Sequence, residues 1–193
     1  CVHEYKVEIA NSENTDDNYF VQFVGRNDQN GVGVWEETVG FNTRLTIDDH
    51  TMPHQMVRMT DGTFVVQPIN YESRLVGDDT SNPPPSFIGG YTPTNVEDPQ
   101  ERPNATINNI VLFRNRLGFL SGQNVILSKP GDFFNFFNTT ALTKTPDDQV
   151  DISASATQPT ILFGALEANV GLNLCSRTKQ IVLNTSNDDL EPK

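Results

Sequence analysis

The chain has 193 residues, 36% of them hydrophobic, and its 25 acidic against 13 basic side chains leave a net charge of −12. That length holds one ordinary domain or two small ones around a thin core. Such acidity excludes nucleic-acid binding through phosphate contacts, which needs clustered Lys and Arg, and attraction to an anionic membrane surface.

Two cysteines, Cys1 and Cys175, are too few for a disulfide framework or a cysteine zinc site, and they read as free thiols from a reducing cytoplasm. No run approaches the roughly 20 apolar residues of a membrane span, and the opening residues do not read as a secretory signal. The sequence opens on Cys1 and stops at Glu191-Pro192-Lys193, just after a strand-like run. It is therefore expected to be an ordered piece of a longer polypeptide.

In chain order, Tyr5, Val7 and Ile9 alternate with Lys6 and Glu8, the period of a half-buried strand. Tyr19 to Val24 is rich in β-formers and reads as a central strand. The polar stretch Gly25 to Gly31 turns the chain into Val34 to Val39, so 1–40 is expected to be a small antiparallel meander. The region 41–103 is irregular, with a short strand Thr63 to Val66 after the Asp61-Gly62 turn. Pro83-Pro84-Pro85, Pro93, Pro99 and Pro103 remove donors and fix φ, which rules out regular structure around them. Loops of that length are either disordered or held by other subunits.

From Ile107 the strands return, and 104–193 is expected to be sheet. Ile110 to Phe113, Arg116 to Leu120 and Val125 to Ser128 are strands. Phe133, Phe134, Phe136 and Phe137 would share one side of a single helical turn and plug the core. Thr160 to Phe163, Val170 to Leu174 and Gln180 to Leu183 are three further strands. The fold class is all-β. Sheets of about four strands at a spacing near 40 residues are the pattern of propeller blades, here an incomplete set, and a β-sandwich is the alternative.

Candidate chemistry is sparse. His50 and His54, beside Asp48 and Asp49, would ligate a metal if the segment were helical, but Pro53 bends it into a turn cluster. Asp16-Asp17, Asp78-Asp79, Asp147-Asp148 and Asp188-Asp189 would act as general acid and base only if buried opposite one another. Their Asn-, Thr- and Pro-rich surroundings read as solvated loops. No stretch spaces oxygen ligands as a calcium loop does, and neither a Gly-x-Ser-x-Gly elbow nor a Gly-rich phosphate loop occurs. The sequons at Asn104, Asn138 and Asn184 mean little without a secretory route. No catalytic, cofactor-binding or metal residue is assigned, and no cofactor is expected. Arg114 and Arg116, two apart, would share a strand face and pair with acids such as Asp132 or with backbone carbonyls at a blade boundary. A solvent-exposed pair is the alternative.

Several runs, in this order, resemble the tail tubular protein B (nozzle) family of short-tailed bacteriophages. They are Thr51-Met52-Pro53-His54 with Asp61-Gly62-Thr63-Phe64, then Val76 to Gly89 around the triple proline. Phe113 to Ser121, Asn124 to Ser128, Gly131 to Phe137 and Asp148 to Ile152 follow, and Gln180 to Leu183 with Leu190 to Lys193 close the series. The resemblance covers nearly the whole chain, most closely from Thr51, with an inserted stretch at Gly90 to Pro103 as the departure. It implies a structural, non-enzymatic part of a six-fold ring at the distal end of a short tail, below an adaptor ring. That ring helps hold tail fibres and passes the genome through its lumen. It also implies residence in the virion after synthesis in the host cytoplasm, and it supplies no catalytic centre. An acidic lumen would keep DNA off the wall. The rival is a tail-associated module that binds or degrades host glycans.

Overall fold

The computed structural model describes residues 1–10, 18–43, 45–88, 106–154, 160–169 and 171–184. It is all-β, and the chain divides into two compact units, Cys1–Pro83 with Asn138–Leu142, and Pro84–Phe137 with Thr143–Lys193.

In the first unit, β1 (Lys6–Ile9), β2 (Tyr19–Gly25) and β3 (Gly33–Thr38) form the expected antiparallel meander in the order β1-β2-β3. Phe20 and Phe23 of β2 are buried, and Phe23 meets Trp35 edge-on with ring centroids 5.4 Å apart. Contrary to the half-buried face expected for β1, Tyr5 and Ile9 are exposed, although Tyr5 meets Trp35 edge-on with ring centroids 6.5 Å apart. Beyond β3 the chain is irregular, and it is tied back by mutual backbone bonds, Gly40 to Gly77 and Gly77 to Thr38.

Next comes a hairpin of β4 (His54–Arg58) and β5 (Phe64–Pro68), closed by the Asp61-Gly62 turn. Asp61 accepts bonds from both the amide and the hydroxyl of Thr63, which hold its carboxyl below the usual carboxylate range. Strand β4 was not legible in the sequence. Its apolar residues, Met56 and Val57, are adjacent rather than alternating.

The Pro-rich stretch from Gly77 is irregular as expected, and its described part carries a bond within its own unit. Asn82, fully buried, donates to the carbonyl of Val76 within its own unit. Residues 89–105, which include the inserted stretch, lie outside the described residues.

The second unit holds two antiparallel sheets. One is β6 (Ile107–Phe113), β7 (Arg116–Ser121), β8 (Asn124–Leu127) and β9 (Val150–Ser153), and the other is β10 (Leu162–Ala168), β11 (Gly171–Ser176) and β12 (Gln180–Leu183). Phe113, Leu120, Val125, Leu127 and Val150 of the first share one core with Leu162, Leu172 and Leu174 of the second. Facing sheets with a common core are what stacked blades and a sandwich have in common. Among the described residues no sheet closes into a barrel. Strand β9 escaped sequence reading because it is four residues long with Asp151 inside it.

Two expectations need correction here. Arg114 and Arg116 do not share a strand face, because Arg114 and Asn115 have φ of 48° and 59° and form the two-residue turn between β6 and β7. Both residues left-handed is the turn whose twist matches a tight hairpin. The Phe run is not a helical turn either. Asp132 and Asn135 each donate an amide bond three residues back, and the successive turns split the phenylalanines. Phe136 and Phe137 are buried, whereas Phe133 is exposed. Phe136 stacks on Phe119 at 5.3 Å and 22°, and Phe87 meets both edge-on at 5.2 Å. The plug exists, with Phe136 of the run packed between two distant phenylalanines.

Candidate functional site

The residues that suggested chemistry are brackets for the backbone. Asp48 accepts from the amide of His50 and caps a short 3-10 turn, Asp49–Thr51. Met52 is buried beyond it, and His54 opens β4 with Nδ1 3.1 Å from the Met52 carbonyl. One histidine lies on a turn and the other on a strand, so they present no common face. Among the described residues no group of three metal-ligating side chains gathers.

The carboxylate pairs divide. Asp16-Asp17 and Asp188-Asp189 lie outside the described residues. Asp78 accepts from the amides of Thr80 and Ser81 and from the Ser81 hydroxyl, which closes the loop after Gly77. Asp147 is exposed, in keeping with the solvated-loop expectation, which fails for Asp79 and Asp148. Asp79 binds Arg74 Nη1 at 2.7 Å, and the Arg74 side chain is wholly buried. Asp148 is fully buried and accepts from the Thr145 amide and hydroxyl. Asp78, Asp79 and Asp148 are thus engaged by backbone, hydroxyl or guanidinium donors.

Arg116 is a heavily engaged cation. It donates to the carbonyls of Ser128 at 2.7 Å, Asp148 at 2.6 Å and Pro146. Its expected pairing with backbone carbonyls is what the structure has, while Asp132 takes no part in these bonds. Burial weakens its hold on the proton, and the nearby Asp147 and Asp148 carboxylates oppose that shift. Sequence reading missed Arg74, Glu37, Asn82, Asn138 and Asp151. Glu37 accepts from the hydroxyl of Thr140 and the amide of Ala141, more than a hundred residues on. Asp151 accepts from the Ser86 amide at 2.7 Å, and burial pushes its carboxyl up. The one available signal was negative: polar residues in stretches where no strand or helix would satisfy the backbone.

Two concavities among the described residues each lie within one unit. An open groove of about 550 Å³ in the first unit is lined by His3, Glu4, Gln22, Asp28, Glu36 and Glu37. His3 is fixed there, its Nδ1 accepting from the Gly25 amide and its Nε2 3.8 Å from Asp28. A cleft of about 300 Å³ in the second unit lies beside Thr160, Ile161, Phe163 and Arg177, with the guanidinium 5.3 Å over the Phe163 ring. Neither holds a nucleophile beside a base.

The described residues thus form an all-β fold with buried polar anchors that hold its long loops and with apolar strand faces exposed. The chain belongs to the bacteriophage nozzle protein family, whose family model matches residues 1–193. It is 34% identical over 183 residues to "Tail tubular protein gp12" of Escherichia phage T7, a match that covers 94% of this chain. The same match covers 20% of that relative, so the chain spans about a fifth of its length. This is a structural component of a bacteriophage tail, and its place is the virion. Among the described residues, no helix is long and apolar enough to cross a membrane.

Proposed function

We propose that the chain is part of the wall of the tail's exit conduit, a homo-oligomeric ring through which the genome leaves, and that it catalyses nothing. The ring is six-fold, seats against the tail adaptor and holds fibres on its outside. DNA passes through without specific binding. Family membership over all 193 residues is the observation that carries this reading. The charge of −12 supports it, because a wall that repels phosphate lets the polymer slide. The buried carboxylates support the non-catalytic part, since each described one is engaged by backbone, hydroxyl or guanidinium donors.

The test is imaging of native particles with a tag on the full-length protein. Six-fold density around a channel at the distal tail, bearing the tag, is the expected outcome. A tag elsewhere on the particle ends the proposal. Incubating the same particles with host polysaccharide checks the second half: cleavage that depends on this protein would make it an enzyme.

A further inference from the structure

The β4–β5 hairpin packs closely against no other strand among the described residues, and it turns an anchor-like face to solvent. Cross-strand partners Met56 and Val66 are each 68% exposed, and the next pair on the same face is Arg58 with Phe64, the latter 61% exposed. Arg beside an aromatic and a Met is the composition of interface hot spots. A lone two-stranded hairpin is only marginally stable in water, so this face is built to be covered. Arg58 has no carboxylate or hydrogen-bond acceptor in reach among the described residues.

The β2–β3 face repeats that layout with opposite charge. Val24 pairs with exposed Val34, and the next pair on the same face is Gln22 with exposed Glu36. In both cases the apolar and polar pairs are two residues apart, about 7 Å along the strands. We propose that the hairpin face of one copy docks on the β2–β3 face of a second copy, with Met56 and Val66 over Val24 and Val34, and Arg58 on Glu36. The contact joins two different surfaces, as a closed ring requires. Charge complementarity selects this occupant. The inference rests on the ring reading above and names the elements that meet.

The experiment uses the full-length protein assembled into tails. Arg58→Glu and Glu36→Arg each place like charges at the contact and are expected to lower nozzle incorporation about tenfold or more, and the double reversal restores it to within about threefold. Both sites are exposed, so circular dichroism of each variant should match the parent. In a full-length background cleared of its native cysteines, Cys1 and Cys175 among them, Arg58→Cys with Glu36→Cys should be joined by a bis-maleimide about 10 Å long, giving crosslinked multimers in intact tails. Normal incorporation of the single reversals, or a deficit that the double does not rescue, overturns the proposal while leaving the ring standing. An intact ring without the crosslink does the same. Absence of any ring in parent tails sinks the conduit reading instead.

Discussion

Asn82 and Asn138, 56 residues apart, are joined twice: the Asn138 amide donates to Asn82 Oδ1 at 2.9 Å, and Asn82 Nδ2 reaches the Asn138 carbonyl at 3.4 Å. The same Nδ2 also donates to Val76. One buried side chain thus stands in for a strand, satisfying backbone groups that the triple-proline stretch cannot pair itself. Asn82→Ala leaves those groups dry and should lower stability by about 1–3 kcal/mol in urea unfolding. A parental midpoint would show that the loop is held some other way.

Arg116 makes a stronger case, because its fork reaches three carbonyls on two stretches of chain. Arg116→Met keeps much of the volume but orphans those carbonyls and removes the positive charge near Asp147 and Asp148. About 3–5 kcal/mol of destabilisation is expected, the range for removing one partner of a buried charged set. Arg116→Lys should be intermediate, since an ammonium does not reproduce the planar fork. Denaturant midpoints of the two variants give the order: Arg116→Lys at the parental midpoint would mean that charge alone matters, and Arg116→Lys below Arg116→Met would mean that the charge does not stabilise.

The strands and the irregular polar parts differ in how far sequence reveals them. Alternation in Tyr19 to Val24 and the apolar runs of β7 and β8 announce strands directly, since burial of one face or both fixes which residues are tolerated. Strand β4 carries exposed Met56 beside partly buried Val57, so no alternation of buried and exposed apolar positions reveals it. The Phe run misleads for a related reason: Phe136 stacks on Phe119 and meets Phe87, and no local periodicity encodes partners so distant in sequence. The polar anchors were the least legible. Asp148 and Asp79 look like any loop acid until the fold brings Thr145 or Arg74 to them.

Gly171 and Gly62 test the backbone in two ways. Both have positive φ, 138° and 87°, so any other residue is strained at either site. A Cβ at Gly171 would also stand 2.2 Å from the Leu183 carbonyl oxygen, whereas one at Gly62 meets open space. Gly62→Ala should cost about 1 kcal/mol, from conformation alone. Gly171→Ala should cost about 3 kcal/mol or more, because β11 and β12 must part to admit the methyl. Thermal unfolding of the pair separates the two terms, and equal losses would remove the steric one.

Asp151 gives the fold a pH dependence of definite sign. Burial raises its carboxyl above the ordinary value of 3.8, while the Ser86 amide and the charge of Lys144 pull it part of the way back. A raised acid contributes stability that is fully present below its unfolded value and is lost as pH rises through the folded one. Above that window the buried carboxylate is a liability, held in place by the Ser86 bond. Asp151→Asn keeps an oxygen acceptor for Ser86 and removes the ionisation. The variant should therefore gain on the parent as pH climbs from below 3.8 through the raised value, and hold a constant lead at neutrality. Urea unfolding of both proteins across that range measures the difference directly. A lead that shrinks with rising pH would mean that Lys144 and Ser86 outweigh desolvation, and that the carboxylate form is the one the fold prefers.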